Sequence, residues 1–278
     1  ENAKKLMSDN YNKSVNSRLN KKSISAILSR VYLTMGEDAK AVSAATDAIA
    51  GDGSDIASIS DFSKIFTTSM EVPEVLFRIA ITADNGYLPG NDWGQGSESS
   101  YIANYSVTYS LNELYKSTDI RRSQIKLVNG GAYNVVWKYN NGGKSTGLID
   151  IPIIRASEVY LTRAEANYNL KNYDDALSDL NLVKERRYSD YEEGTESGAA
   201  LEKEIQLQRR LELAFEGHRF FDLKRRHEDV QRDGKGFMAD GSGVPSSTQH
   251  VSADSPYYVM PIPQSEIDAN KNMVQNKY

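Results

Sequence analysis

Residues 153–187 read IIRASEVYLTRAEANYNLKNYDDALSDLNLVKERR, and this stretch decides the fold. Apolar residues recur at steps of three and four on both sides of a break at 170–172. That periodicity predicts two helices joined by a short turn. A similar pattern over residues 22–50, broken at Gly36, predicts a second helical pair of the same kind.

The two pairs share the spacing of tetratricopeptide repeats. Ala41 follows Gly36 by five residues, and Ala176 follows Lys171 by the same interval. Small residues at such positions let two helices pack closely. The two breaks are 135 residues apart, whereas repeats of this kind recur about every 34 residues. We therefore predict a mainly α fold: a tetratricopeptide-like scaffold of helical pairs, interrupted by a large loop-rich insertion, with few short strands.

The insertion spans about 67–150 and differs in character from its flanks. Residues 74–81 (EVLFRIAI) and 133–139 (YNVVWKY) favour strands. Residues 84–100 are dense in Gly, Asn, Asp and Ser, which indicates a loop. Ser110 is placed to cap a short helix.

A third helix is predicted over 199–215, and the tail that follows it is irregular. We accordingly divide the chain into a helical pair at 1–66, the insertion at 67–150 and a C-terminal region at 151–278. These parts are expected to intertwine in one domain, with the candidate ligand site in the insertion.

Composition excludes several classes of function. The chain of 278 residues has 33 basic and 38 acidic side chains and a formal charge of −5, which argues against a dedicated binder of nucleic acid. It contains no cysteine, so disulfides, thiolate metal sites and cysteine nucleophiles are excluded. The mean hydropathy is −0.56, and no stretch approaches the roughly 18 apolar residues of a membrane span.

Trp93 is the residue of the insertion that a structural role explains least. It is flanked by Asn91, Asp92, Gly94 and Gln95, so the indole has no apolar neighbour along the chain. An aromatic plane can cover the C–H face of a sugar, while amides and carboxylates bond its hydroxyls. The predicted ligand-binding residues are Tyr87, Asn91, Asp92, Trp93 and Tyr101.

An alternative for Trp93 is that the indole anchors its loop to the scaffold, and the sequence weighs the two roles equally. Trp137 is different because Val135, Val136 and Tyr139 surround it. That strand context favours a place in the core.

A charged cluster follows the third predicted helix. Its members are Glu212, Glu216, His218, Arg219 and Asp222. The cluster resembles an acid–base or metal site, because helical spacing puts Glu212 and Glu216 on one face. Two carboxylates four residues apart repel each other unless cations intervene, and Arg209 and Arg219 are placed to intervene. We therefore interpret the cluster as a half-buried structural network.

No arrangement typical of catalysis or cofactor binding is present. The three histidines show no metal-ligand or triad spacing, and no nucleophile elbow, P-loop or dinucleotide fingerprint occurs. Residues 233–243 (DGKGFMADGSG) lack the ordered oxygen ligands of a calcium loop. We predict a protein that is not an enzyme and needs no metal or cofactor. A pair of catalytic carboxylates for glycoside hydrolysis remains an open alternative, because the two partners can be distant in sequence and close in space.

Three segments resemble motifs of the SusD/RagB family of nutrient-binding proteins. They are IRASEVYLTRAEA at 154–166, RRLELAFEGHRFFDLKR at 209–225 and MPIPQSEIDANKNMVQNKY at 260–278. Asp119-Ile120-Arg121 also looks like the family's D-x-R motif. Departures are the Ser157 that separates Ala156 from Glu158, Arg226 in place of a Trp, and Lys271 and Lys277 in place of two prolines.

The resemblance implies a surface protein that binds oligosaccharide and delivers it to a SusC-like TonB-dependent transporter in the outer membrane. It further implies a longer full-length protein held by an N-terminal lipid anchor, of which this chain is the C-terminal part. RagB-like relatives suggest peptides or other nutrients as alternative ligands. A helical-repeat scaffold for protein partners is a third reading, which the Trp93 loop argues against.

Overall fold

Helices dominate the fold, and the strands are short. The computed structural model describes residues 1–7, 16–51, 55–67, 74–82, 84, 88–97, 99–140 and 147–277. The helices are α1 (Asn2–Leu6), α2 (Lys21–Met35), α3 (Asp38–Ile49), α4 (Tyr109–Asn112), α5 (Ala156–Asn169), α6 (Tyr173–Glu185), α7 (Gly198–Glu212), α8 (Arg219–Arg225) and α9 (Gln264–Ala269). The predicted mainly α fold with few short strands is confirmed.

The strands form small antiparallel pairs. They are β1 (Val75–Ile79), β2 (Gly94–Ser97), β3 (Ser100–Ala103), β4 (Ile125–Val128), β5 (Tyr133–Val136), β6 (Ile151–Arg155), β7 (Val230–Gln231) and β8 (His250–Val251). The pairs are β1 with β6, β2 with β3, β4 with β5, and β7 with β8.

The first helical pair is defined by its caps. The Asn20 side chain accepts from the Ser23 backbone N–H at 2.9 Å, and the Ser23 hydroxyl accepts from the Asn20 N–H at 2.8 Å. This reciprocal capping box starts α2. Gly36, with φ 72°, ends α2 in the left-handed conformation that glycine adopts without steric cost. The chain then turns into α3.

The two helical pairs stack on each other although the insertion separates them in sequence. α3 packs against α5, and the contact is close because small side chains meet there. Ala45 and Ala48 share one buried cluster with Val159, and Ala41 shares another with Ala166. A third cluster joins α5, α6 and α7 through side chains such as Leu161, Leu180 and Leu201.

The insertion leaves and rejoins the scaffold at one small sheet. β1 and β6 pair antiparallel, with Val75 opposite Arg155 and Ile79 opposite Ile151. The sequence prediction had placed Ile154 in the second helical pair, and this is wrong. Ile154 lies in β6, where β-branched residues and a proline favour an extended backbone.

Three further boundaries differ from the sequence predictions. The short helix α4 is capped by Thr108, whose hydroxyl accepts from the Leu111 N–H, and Ser110 lies inside the helix. The predicted helix at 199–215 ends at Glu212, and Phe215 has φ 67°. Helices α8 and α9 were not predicted, because seven and six residues give too little periodicity.

A buried charge cluster joins the scaffold to the insertion. Its carboxylates belong to Glu74, Asp119, Glu212 and Glu216, and its cations to Arg121, Lys138, Arg155 and Arg187. Glu212 accepts from Arg155 at 2.8 Å and from Arg187 at 2.9 Å. Carboxylates and cations are equal in number, so the cluster is neutral although it is removed from water.

The interpretation of the Glu212 region as a structural network fits this cluster, but the predicted partners were wrong. Glu216 pairs with Lys138 at 2.6 Å and with Arg155 at 2.7 Å, whereas Arg219 is exposed. Arg209 pairs with Asp222 at 2.9 Å. The actual partners come from distant segments, which helical spacing cannot reveal.

Candidate ligand-binding cavity

An open cavity of about 640 Å³ lies where the Trp93 loop meets α8 and β6. Four aromatic side chains line it: Trp93, Tyr139, Phe215 and Phe221. The rest of the wall combines the apolar segment Ile151–Ile153 with charged side chains. A concave site that joins aromatic surface with a few polar groups is typical of small-ligand binding.

Trp93 is held by other aromatic rings from distant segments. It stacks on Tyr139, with ring centroids 5.5 Å apart and an interplanar angle of 24°. Phe215 and Tyr105 meet it edge to face at 5.9 Å and 5.8 Å. The Tyr139 hydroxyl in turn donates to the Phe215 carbonyl at 3.0 Å. The half-buried indole therefore anchors its loop and also lines the cavity, so the two alternatives weighed from the sequence are compatible.

Backbone contacts hold the Trp93 loop in place. The Asn104 side-chain amide donates to the carbonyls of Asn91 and Asp92, each at 3.0 Å, and the Asn104 N–H donates to the Trp93 carbonyl at 3.1 Å. Gly90 passes so close to Tyr139 that a Cβ there would lie 2.5 Å from the Tyr139 carbonyl oxygen. The indole is thus presented in a defined orientation.

Phe221 supplies the exposed part of the aromatic lining. Its side chain is 64% exposed, although the next residue of α8, Asp222, is buried. The neighbouring Phe220 instead stacks on Tyr258 at 5.3 Å and does not line the cavity. Phe221 therefore offers an exposed aromatic ring at the edge of the cavity.

Fixed polar groups surround the aromatic lining. Arg30 donates to Glu158 at 2.6 Å and to the Ile153 carbonyl at 2.6 Å, which fixes its guanidinium at the cavity wall. His218 lies 3.8 Å from Glu158, and burial lowers the pKa of this imidazole. Asp92 is exposed at the rim. Hydroxyl groups of a ligand would find both donors and acceptors here.

Glu216 lines the cavity as an acceptor that is ionised near neutral pH. Burial alone would raise its pKa, but the charges of Arg155 and Lys138 outweigh burial and lower the pKa to about 2. Burial lowers the pKa of Lys138 to about 8. A carboxyl group with so low a pKa cannot serve as a general acid near neutral pH. Its geometry suits hydrogen bonding and support of the fold.

The structure places the predicted ligand residues in different settings. Trp93 and Asp92 line the cavity, and Asn91 is adjacent, with its side-chain oxygen buried. Tyr101 is 4% exposed and packs against Trp137 at 5.5 Å, because β3 turns that side chain inward. This burial does not favour a ligand contact, and the role of Tyr101 in binding stays a prediction. Tyr87 lies outside the described residues.

Sequence reasoning missed most of the cavity lining. Tyr139, Phe215 and Phe221 come from three segments remote from Trp93, and only the fold brings them together. One local signal existed at Phe220-Phe221: two adjacent rings on a short helix indicate apolar surface near solvent, and the structure leaves both rings exposed.

Within the described ranges, no three His, Asp or Glu side chains are grouped so that they could hold a metal ion. In residues 233–243 the carboxylates take part in local turns: Asp233 accepts from the Lys235 N–H at 3.0 Å, and Asp240 from the Ser242 N–H at 2.9 Å. No helix in the described part of the chain is both long enough and apolar enough to span a bilayer.

A model of the SusD family matches residues 81–278. The chain belongs to the SusD family. The resemblance noted from the sequence motifs is thereby confirmed. The family comprises carbohydrate-binding, non-catalytic proteins associated with the outer membrane at the cell surface. At the level of the family, this confirms the prediction that the chain is not an enzyme.

Individual relatives agree with this assignment. The chain is 32% identical over 171 residues to the starch-binding protein SusD of Bacteroides thetaiotaomicron. The alignment covers 56% of this chain and 28% of that protein. A SusD superfamily protein from the same species has a TM-score of 0.82 at 27% identity, over 100% of this chain and 64% of that one. A putative sugar binding protein from Bacteroides vulgatus has a TM-score of 0.82 at 28% identity, over 99% of this chain and 62% of that one.

A more distant structure shares the fold. Surface glycan-binding protein A from Bacteroides thetaiotaomicron, solved in complex with laminarihexaose, has a TM-score of 0.73 at 22% identity. The alignment covers 99% of this chain and 67% of that one. The chain spans less than two thirds of the length of SusD and of the first two structures above.

Proposed function

We propose that this chain binds oligosaccharide at the cell surface, in the cavity lined by Trp93 and Phe221, and does not turn it over. The observation that carries the proposal is that a rigidly held indole and a largely exposed phenyl ring line the same cavity. Aromatic faces cover the apolar faces of sugar rings, and Arg30 and Asp92 offer hydrogen bonds to hydroxyl groups.

The wider function follows from the family. We infer that the full-length protein is lipid-anchored in the outer membrane and delivers its ligand to a SusC-like TonB-dependent transporter. Membership of the SusD family supports this inference. Purification of the full-length protein from native outer membranes tests it: a TonB-dependent transporter should co-purify in stoichiometric amount. Recovery of the protein alone, under conditions that keep other membrane complexes intact, would contradict the partnership.

The ligand is identified with a glycan microarray, followed by calorimetric titration of the neutral oligosaccharide that binds best. Phe221→Ala should weaken its affinity by roughly tenfold, because an aromatic stack is worth about 1 to 3 kcal/mol when nucleic-acid bases are the partner. Phe220→Ala is the matched control: it removes the adjacent ring, which meets Phe221 edge to face at 5.8 Å but lies outside the cavity. Its affinity should equal that of the wild type.

Trp93→Ala should weaken binding at least as much, with Trp137→Ala as its control. Equal affinity of the Phe221→Ala and Phe220→Ala variants would contradict binding of the ligand in this cavity. A peptide library that yields ligands where the microarray yields none would favour the alternative that the chain binds peptides.

A further inference from the structure

A second cavity, of about 430 Å³, lies on the other side of α8. Arg219 and Leu223, four residues apart on α8, face it, whereas Phe221 and Asp222 face the aromatic cavity. The end of α7 supplies Arg210, and the segment 230–249 closes the opposite wall. Its lining is strongly cationic in a protein whose overall charge is negative.

Four basic side chains line this second cavity, which we call the cationic cavity: Arg210, Arg219, Arg232 and Lys235. Asp233 is the acidic residue of its lining. The carboxylate of Asp233 is engaged by the Lys235 backbone N–H and by Ser110. Within the described residues, no salt bridge joins Asp233 to a basic side chain of the cavity. The lining therefore keeps a net positive charge.

The arginines of the cationic cavity differ from those elsewhere in the scaffold. Arginines buried or half-buried in other parts of the fold pair with carboxylates: Arg30, Arg78, Arg121, Arg155, Arg163, Arg187, Arg209, Arg225 and Arg226. Arg210 is half-buried, yet in the described part of the chain neither it nor Arg219 forms a salt bridge or a side-chain hydrogen bond. Although Arg219 as a whole residue is exposed, partial desolvation of its guanidinium and the nearby charge of Arg210 lower the pKa of Arg219.

The position of Arg219 has no stabilising explanation in the helix. It is the first residue of α8, and a cation at a helix N-terminus is disfavoured by the helix dipole. Two guanidinium groups that lack carboxylate partners and repel each other across a cavity form a ready receptor for an anion. Arginine is well suited to this role because its planar donors bind carboxylate and sulfate oxygens in pairs.

We propose that the cationic cavity binds the anionic group of an acidic saccharide, either a uronic-acid carboxylate or a sulfate ester. The remaining lining fits a sugar. Phe237 lines the cavity, is 42% exposed and stacks on Tyr133 at 6.1 Å with an angle of 10°, so a held aromatic ring is available beside the cations. Neutral hydrogen-bonding groups come from Ser106, Thr108, Ser110, Ser246 and Gln249.

This proposal rests on the proposed function in one respect, the choice of a saccharide over another anion. The neighbouring aromatic cavity, separated from the cationic one by α8, would take neutral sugar units of the same chain. The two sites would then select an oligosaccharide that carries an acidic residue beside neutral ones.

The test is calorimetric titration with four probes: trigalacturonate, a sulfated galactan trisaccharide, neutral galactotriose and tetraglutamate. The variants are Arg210→Gln and Arg219→Gln, with Arg122→Gln as the control, because Arg122 is exposed, carries the same charge and lies outside this cavity. We expect an acidic trisaccharide to bind more tightly than galactotriose. Arg210→Gln and Arg219→Gln should each weaken that binding about tenfold, and the affinity should fall as salt is raised.

The two acidic trisaccharides separate the two sources of the anion: preference for trigalacturonate indicates a uronate, and preference for the sulfated probe indicates a sulfate ester. The proposal is overturned if Arg122→Gln weakens binding as much as the cavity variants do, or if tetraglutamate binds as tightly as the acidic sugars. The outcome is independent of the aromatic cavity. If the proposed function fails, Phe221→Ala should leave the affinity for neutral glycans unchanged. The arginine variants test the cationic cavity separately.

Discussion

The two sides of α7 show two uses of arginine. On one side, Arg155 and Arg187 are buried and each contacts Glu212. Near the end of the same helix, Arg210 and its neighbour Arg219 face a cavity and form no salt bridge within the described structure. Carboxylates of the chain neutralise Arg155 and Arg187, whereas Arg210 and Arg219 remain available to an external anion. The comparison separates charges that build the fold from charges available to a ligand.

The energetic reason for the difference is desolvation. A buried guanidinium that lost its carboxylate would leave an uncompensated charge in a medium of low dielectric constant, which is strongly destabilising. A guanidinium at an open cavity keeps part of its hydration and tolerates the lack of a partner. Substitutions on the two sides should therefore differ most in stability.

The largest effect is expected for Glu212→Gln. The substitution keeps the volume but removes the charge that Arg121, Arg155 and Arg187 share. We expect a loss of about 3 to 5 kcal/mol in the free energy of unfolding, measured by urea denaturation. Glu202→Gln is the control, because Glu202 lies on the same helix but is exposed. It should change stability by less than about 0.5 kcal/mol. Similar losses in both variants would mean that the buried cluster contributes no more to stability than an exposed carboxylate does.

The second prediction concerns acid. The folded pKa of Glu216, about 2, lies below the ordinary value of 4.5. Its contribution to stability is therefore complete above pH 4.5 and is lost as the pH falls from about 4.5 towards 2. The shift corresponds to about 3 kcal/mol over that window. Urea denaturation at pH 7, 4.5 and 3 should show a smaller loss in Glu216→Gln than in the wild type. Parallel pH profiles would contradict the assignment.

The third prediction separates Trp93 from Phe221. Both line the cavity, but the Trp93 ring also packs on Tyr139 and Phe215. Trp93→Ala should therefore lower the free energy of unfolding by about 1 to 3 kcal/mol, whereas Phe221→Ala should change it by less than about 0.5 kcal/mol. Thermal melts of the two variants without ligand provide the measurement. An unchanged melting temperature for Trp93→Ala would indicate that the indole is an exposed ligand contact and does not anchor its loop.

The scaffold was largely predictable from the sequence because helical periodicity is a local signal. The pattern of residues 22–50 and 153–187 placed both helical pairs to within a few residues, except where β6 replaced the expected start at Ile154. That strand depends on β1, nearly eighty residues earlier, so its partner is invisible in a local window.

The sites were less predictable, because they are assembled from distant segments. Trp93 stood out from its polar neighbours, but Tyr139, Phe215 and Phe221 join it only through the fold. Tyr101 was chosen for its nearness in sequence, and strand alternation buries it. The charged cluster was recognised as structural, yet its partners Lys138 and Arg155 could not be found by helical spacing.

The smallest effect is expected for Arg219→Ala, and this variant tests the comparison between the two groups of arginines most directly. Sequence spacing places Arg219 beside Glu216, and removing a partner from a buried ion pair would cost much stability. In the structure the side chain is exposed, it starts a helix where the dipole disfavours a cation, and its near neighbour Arg210 repels it. Stability should therefore change by less than about 0.5 kcal/mol, and relief of repulsion should make any shift upward at low salt. Arg155→Ala, which takes one cation away from three carboxylates of the buried cluster, should lose about 3 to 5 kcal/mol in the same melting experiment. If the two variants lose equal stability, Arg219 belongs to the structural charges, and the division between the two sides of α7 fails.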